Sequence, residues 1–530
     1  MGFNSWNTFR CNINESLIRE VADAMVDSGL AGAGYKYVNI DDCWMQRRGD
    51  DGVIIPFPDK FPSGMKALGD YIHSKGLKFG VYSDTGKHTC EGYPGSMGFE
   101  SVDARTYAEW GVDFLKYDYC GMDGVTDSAE RSYTRMHSAL QAAGRPVLLS
   151  ICSWGAGDPH TWGRQGHGSA WRCALRLQSF TDQVAQQWRT GIDMFAVWDA
   201  ATAKELRLPS FLQSVLGAVH SVEDKAAFAG PGSFNDPDML VVGLDGMVPY
   251  GNVQECPPHV ANCKPGDYIS RERCGGVVGG LSHTEQKSHF SLWCMLASPL
   301  MLGNDPRVMR KATLDILLAA EVVAVNQDAL GQQARKVHTE ADGDLQVWLK
   351  RLEGGRFAVL LLNLGSVVSD VTVSWGRDMP GDVHAKWGRE SPAAPGCADR
   401  EAECAEWVAG GECLKNPGFM VDACKASCPG ACPKPAETGP TATAVVRDLW
   451  LREDQGVFNG AYTAKKVESH EGRLISVRFM EPTDALSLKL DTGLLAYRAG
   501  LTARHGVAGE KAGNAAALHS QVMVGTSSFL

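Results

Sequence analysis

This sequence predicts a closed (β/α)8, or TIM, barrel followed by an antiparallel β-sandwich, and three observations carry the prediction. Short apolar runs ending in polar or acidic residues recur before residue 310. Amphipathic segments separate them, and apolar strands alternating with helices argue for a parallel sheet covered on both faces. After Arg335 the pattern changes to short alternating strands, as a sandwich requires.

The barrel strands can be taken in order. The first is Gly2 to Trp6. Tyr37-Val38-Asn39-Ile40 runs into Asp41-Asp42-Cys43-Trp44, and Leu77 to Tyr82 runs into Ser83-Asp84. Phe114-Leu115-Lys116-Tyr117 ends in Asp118, and Pro146 to Ile151 runs into Cys152-Ser153-Trp154. The sixth is expected near Gly191 to Phe195, the seventh near Asp236 to Leu240 and the eighth at Ala297 to Asn304. Helices are expected at Ser16 to Ser28, Ser63 to Lys75, Ser101 to Trp110 and Ser128 to Ala143. The barrel is assigned to residues 1–330 and the sandwich to 331–530, the latter including Leu345 to Lys350, Phe357 to Asn363 and Ala444 to Trp450.

A chain of 530 residues exceeds one hydrophobic core, in keeping with this division. The formal net charge of −11 offers no basic surface for nucleic acid, and no apolar run reaches the length of a membrane span. Sixteen cysteines clustered in loops point to disulfides and an oxidising compartment. No Cys-x2-Cys pair or spaced histidine set argues for a metal, so neither metal nor cofactor is expected. The chain begins inside the first predicted strand, and a leader removed or never included is expected.

Carboxylates at the C-terminal ends of barrel strands sit where such folds keep their chemistry. Asp118 is therefore a candidate nucleophile, with capping of a loop or pairing with Lys116 as its structural alternative.

Several motifs together carry a resemblance. Gly2-Phe3-Asn4-Ser5-Trp6-Asn7, Asn39 to Trp44, Gly80-Val81-Tyr82-Ser83-Asp84, Lys116 to Cys120, Trp188 to Asp193, Gly230 to Leu240 and Ala297 to Leu302 resemble, in order, the barrel motifs of glycoside hydrolase family 27. That family contains α-galactosidases and α-N-acetylgalactosaminidases. The resemblance implies that Asp118 attacks the anomeric carbon and that Asp193 is the general acid and base, giving retention of configuration. It further implies that Asp41 and Asp42 accept hydrogen bonds from the 4- and 6-hydroxyls of galactose and that Lys116 donates to the 3- or 4-hydroxyl. Trp6 would cover one face of the ring, Tyr82 and Cys90 would line the pocket, and Arg189, Asp238 and Met239 would close the side near the 2-substituent. Each has a structural alternative: Trp6 as a core aromatic, Asp41 and Asp42 as N-caps, Asp238 as a turn residue.

α-Galactosidases of the family typically carry a glutamate after the cysteine on strand five, whereas this chain has Cys152-Ser153-Trp154-Gly155-Ala156. Ser153 and Ala156 resemble the α-N-acetylgalactosaminidase form of the loop, which leaves room for an acetamide. The stretch from Gly163 to Gln187 has no clear counterpart in the common pattern.

The same resemblance implies disulfides Cys11 with Cys43, Cys90 with Cys120 and Cys152 with Cys173. Cys256, Cys263 and Cys274 lie in an insertion from about Met247 to Gly280; with Cys294 they leave the pairing open, one of the four being suited to a buried free thiol. Cys397, Cys404, Cys413, Cys424, Cys428 and Cys432, at 397–432, resemble a ShK-toxin-type module. Its pairs would be Cys397 with Cys432, Cys404 with Cys424 and Cys413 with Cys428. The module either anchors the protein to a wall polymer or protein ligand or is a passive insertion. Asn14-Glu15-Ser16 is a glycosylation sequon, with Ser16 equally suited to cap the first helix.

The expected function is hydrolysis of terminal α-galactosides, with α-N-acetylgalactosaminide hydrolysis as the alternative. A non-catalytic carbohydrate-binding protein belongs to a third class, although such a protein is expected to lose one of Asp118 and Asp193. The expected setting is the secretory pathway, extracellular or lysosomal or vacuolar, with the glycoside substrate as partner and no nucleic acid.

Overall fold

Eight short parallel strands form one sheet: β1 (Gly2–Asn4), β2 (Tyr37–Asn39), β3 (Lys78–Asp84), β4 (Phe114–Asp118), β5 (Leu148–Cys152), β6 (Gln187–Arg189), β7 (Phe234–Asp236) and β8 (Met301–Leu302). Their spatial order is β8-β1-β2-β3-β4-β5-β6-β7. Beyond β7, Leu240 forms a parallel bridge to Leu302, its N–H donating to the Met301 carbonyl at 2.7 Å, and this joins the two ends of the sheet into a barrel. The computed structural model describes residues 1–122, 127–164, 184–205, 212–244, 280–379 and 442–480, together with Cys404.

Strand alternation sets which side chains enter the barrel. Asp84, Asp118 and Cys152 are register partners across β3, β4 and β5, as are Tyr82, Lys116 and Ser150. The intervening Leu115, Tyr117, Leu149 and Ile151 are fully or almost fully buried, in one cluster with Ile18, Val21, Leu68, Ile72, Tyr133 and Met136 of the surrounding helices. Gly80 is required on β3, because a Cβ there would lie 1.9 Å from Asn39 Oδ1.

The helices α1 (Glu15–Asp27), α2 (Gly64–Ser74), α3 (Glu100–Glu109) and α4 (Ala129–Ala142) fall where their periodicity predicts. Asn14, not Ser16, caps α1: its side chain accepts from Leu17 N at 2.9 Å, while the Ser16 hydroxyl donates to Glu20. Ser282 and Glu285 form a capping box on α5 (His283–Met295). The sixth strand ends before the expected Gly191 to Phe195. The apolar run Met194 to Trp198 is buried against the chain at 213–216 instead, with bonds Phe195 N to Gln213 O and Val215 N to Val197 O.

Beyond the barrel, strands β9 (Arg335–Glu340), β10 (Leu345–Leu352), β11 (Arg356–Asn363), β12 (Ser369–Ser374), β13 (Thr443–Asp448), β14 (Glu453–Asn459), β15 (Ala461–Val467) and β16 (Gly472–Phe479) follow. Six of them form the antiparallel sheet β9-β10-β11-β16-β13-β14, and β12 pairs with β15. On β11, Phe357, Val359 and Leu361 join Val371, Val373 and Trp375 in one core. Ala358, Leu360 and Leu362 join the barrel-side cluster with Phe290 and Trp293 of α5. The uninterrupted apolar run on β11 thus reflects a sheet covered on both faces. Among the described residues no helix is long and apolar enough to cross a membrane.

Candidate active site

The C-terminal ends of the barrel strands bring most of the predicted residues into hydrogen-bonded networks. Asp118 ends β4 and is 5% exposed. Its Oδ1 accepts from Tyr119 N at 3.0 Å and its Oδ2 from the Tyr82 hydroxyl at 3.2 Å. Lys116, one inward position below, donates from Nζ to Asp41 Oδ2 at 2.8 Å, and Asn4 Nδ2 donates to the same oxygen at 2.7 Å. Lys116 therefore acts on Asp118 through space, with its ammonium turned to Asp41.

A second network comes from β6. Arg189 is 4% exposed, and its Nη1 lies 3.1 Å from both Asp193 Oδ1 and Asp238 Oδ1. Its Nη2 donates to the Ile192 carbonyl at 2.8 Å, fixing the turn that leads to Asp193. Asp238 Oδ2 accepts from Met194 N at 2.6 Å, and Asp238 holds a positive φ of 144°, a strained backbone for a residue with a Cβ. A turn position is thus combined with a buried ion pair. Lys116, Arg189, Asp238 and Met239 line a cavity with Cys152 and Gln187.

The remaining residues border these networks. Asp42 accepts from Cys43 N at 2.6 Å and from Glu91 N at 3.1 Å, and Asp41 Oδ1 accepts from Asp42 N; neither carboxylate caps a helix. Trp6 packs with Cys43, Phe114, Met239 and Met301, leaving 8% of it exposed. The Ser153 hydroxyl donates to the Ala156 carbonyl at 3.0 Å; Ser153 is buried and Ala156 exposed.

Burial is the largest influence on the titration of Asp118, Asp42 and Asp238. It pushes Asp118 up to about 6, against the Lys116 ammonium and with help from Asp193 and Asp41. Burial likewise raises Asp42 to about 7 and Asp238 to about 7, the latter against Arg189. Burial alone would lower Lys116, but Asp41 and its neighbours outweigh it and hold the ammonium well above its ordinary value.

Two disulfides tie the loops around the site: Cys11–Cys43, with Cα atoms 5.0 Å apart, and Cys90–Cys120, at 5.1 Å. The Tyr82 hydroxyl also contacts Cys90 Sγ at 3.4 Å. Cys152 corrects an expectation, since it is a free buried thiol and not a partner of Cys173, which lies outside the described residues. It occupies the last inward position of β5, with Arg189 Nη1 3.9 Å from its sulfur. Cys294 is also free and buried. Cys404 is disulfide-bonded; the rest of the cysteine-dense module, Cys256, Cys263 and Cys274 lie outside the described residues. Asp84, Cys90, Asp118 and Cys120 place possible metal donors within 4.8 Å of one another, but the sulfurs are joined and offer no thiolate.

Among the residues at the site with no predicted role are Asp84 and Asn4. Asp84 ends β3 opposite Asp118; its oxygens accept from Gly86 N at 2.6 Å and Cys120 N at 2.8 Å, and burial raises it to about 8. Its place at a strand end was the available signal. Asn4 gave none, because its link to Asp41 exists only once β1 and β2 pair.

A family model described as Alpha galactosidase A matches residues 1–255 and 260–328, and one described as Alpha galactosidase C-terminal beta sandwich domain matches 342–390. The chain is 41% identical over 380 residues to Alpha-galactosidase 2 of Arabidopsis thaliana, covering 71% of this chain and 78% of that one. It is 40% identical over 378 residues to Alpha-galactosidase A of Cellvibrio japonicus, with the same coverage. The crystal structure of α-galactosidase I from Mortierella vinacea superposes with a TM-score of 0.65 at 28% identity, covering 91% of this chain and 96% of that one. With both the barrel and the sandwich matched in order, the chain belongs to the α-galactosidase family, glycoside hydrolase family 27.

Proposed function

We propose that this protein is a retaining exo-glycosidase that hydrolyses terminal α-linked galactose. The observation that carries the reading is the pair of acids at the barrel mouth: Asp118 at the end of β4 with the Tyr82 hydroxyl on its Oδ2, and Asp193 beside the Arg189 guanidinium. In the first step Asp118 attacks the anomeric carbon as the glycosidic C–O bond breaks, and Asp193 gives its proton to the departing oxygen. In the second, Asp193 takes a proton from water, and that water displaces Asp118 from the same carbon. Two inversions restore the α configuration. Sugar orientation falls to Asp41, Asp42 and Lys116, with Trp6 against the ring and Arg189, Asp238 and Met239 near the 2-position. Relatives named α-galactosidase at about 40% identity support this substrate class. The lack of a glutamate after Cys152, with Ser153 bonded to Ala156, favours N-acetylgalactosaminide hydrolysis as a second reading.

Hydrolysis of p-nitrophenyl α-galactoside beside p-nitrophenyl α-N-acetylgalactosaminide separates the two. Turnover of the galactoside is expected, and turnover of neither substrate would favour the carbohydrate-binding class.

A further inference from the structure

The turn between β15 and β16 belongs to the sandwich, yet its His470 reaches the barrel. The imidazole stacks on Trp198 with ring centroids 5.4 Å apart and an interplanar angle of 23°. Its Nδ1 lies 2.7 Å from Glu285 Oε1, and Glu285 is itself held by the capping box of α5. The His470 carbonyl accepts from the Ser288 hydroxyl at 2.7 Å, and that oxygen accepts from Gly472 N at 2.8 Å. Glu285 fixes the ring and Ser288 the backbone of the turn.

Trp198 closes the segment that begins at Asp193. Met194 to Trp198 are each at most 2% exposed. The segment is laced to its neighbours by Gln213 N to Asp193 O, Phe195 N to Gln213 O, Val215 N to Val197 O and Leu216 N to Trp198 O, and by Gly280 N to Ala196 O. Met194 N adds the bond to Asp238. A segment so buried and so bonded moves as one piece. The buried Trp198 Nε1 has no hydrogen-bond partner among the described residues, so packing, and not a polar bond, sets that ring's place.

We propose that His470 is a positioning residue through which the β-sandwich holds the acid/base segment of the barrel in register with the nucleophile. The proposal rests on reading Asp193 as the acid and base. Misplacement of a catalytic group by about 1 Å costs up to about a hundredfold in rate, so a stack on Trp198 is enough to matter at Asp193.

The test uses leaving groups. An alkyl α-galactoside needs proton donation to depart, whereas a dinitrophenyl α-galactoside does not. His470→Ala is expected to lower kcat/KM for methyl α-galactoside about tenfold while changing that for the dinitrophenyl substrate by less than about twofold. His470→Phe keeps a ring on Trp198 and is expected to restore the alkyl rate to within about twofold of wild type. Glu285→Gln keeps the capping box and is expected to give an intermediate loss with the same selectivity. It carries the comparison if the alanine variant fails to fold. Equal losses on both substrates, no loss on either, or a phenylalanine variant as impaired as alanine would overturn the proposal. Asp193→Ala serves as the reference: if it too slows both substrates alike, the acid/base assignment falls and the positioning role with it.

Discussion

The Tyr82 hydroxyl donates to Asp118 Oδ2 across 3.2 Å, and that bond favours the ionised form of a carboxyl which burial otherwise raises. Tyr82→Phe is therefore expected to raise Asp118 further and to move the acidic limb of the kcat/KM profile to higher pH. A profile measured between pH 3 and 8 checks this; a limb unmoved or displaced to lower pH would show that the Tyr82 bond does not favour the ionised form of Asp118.

Asp118→Asn and Asp193→Asn are each expected to reduce kcat by more than about a thousandfold with melting temperatures near wild type, since shape is retained while attack or proton transfer is lost. Assays of both purified variants test the pair, and near-normal turnover in either would remove that residue from its role.

Proton NMR of the first sugar released should show the α-anomer before mutarotation. An initial β-anomer would replace double displacement with single inversion.

Stability should peak at weakly acidic pH. Burial raises Asp118 to about 6, Asp42 to about 7 and Asp84 to about 8, all above the roughly 4 of an unfolded carboxyl. Each therefore contributes stability that is full below about pH 4 and is lost as pH rises through its folded value. Glu15 and Glu285 run the other way: hydrogen bonds outweigh burial and lower both, so their contribution is lost as pH falls. Calorimetry should find the highest melting temperature near pH 5 and a decline toward pH 8. A flat curve from pH 6 to 8 would mean that these carboxyls carry charge in the folded state at no cost.

Ser153→Glu places a charged side chain beside the 2-position if the loop borders it. The ratio of kcat/KM for the galactoside over the N-acetylgalactosaminide should then rise about tenfold, a difference of about 1.4 kcal/mol. An unchanged ratio would show that Ser153 and Ala156 do not determine this specificity.

Much of this architecture was legible because period is legible. α2 and α4 lie one residue inside their predicted bounds at each end, and inward-facing Lys116 and Asp118 follow from alternation on β4. Partners were less so. Lys116 stands beside Asp118 in sequence but bonds to Asp41, 75 residues away, because barrel closure decides which strand ends meet. The sixth strand, Gln187–Arg189, lies earlier than the expected Gly191 to Phe195, because the apolar residues that follow are buried by loop packing and not by sheet pairing, and the expected Cys152–Cys173 pair fails because the inward register position of Cys152 leaves it a buried thiol.

Leu360 and Leu362 turn toward the barrel from the middle of a sandwich strand, and this decides how the polypeptide can be dissected. Cutting the gene between barrel and sandwich would leave each half with a bare apolar wall where the other had been, so a barrel expressed alone is a sticky fragment and not a minimal enzyme. Heat should accordingly melt the two together in one transition, and transplanting a different sandwich would demand a matching redesign of the surface of α5.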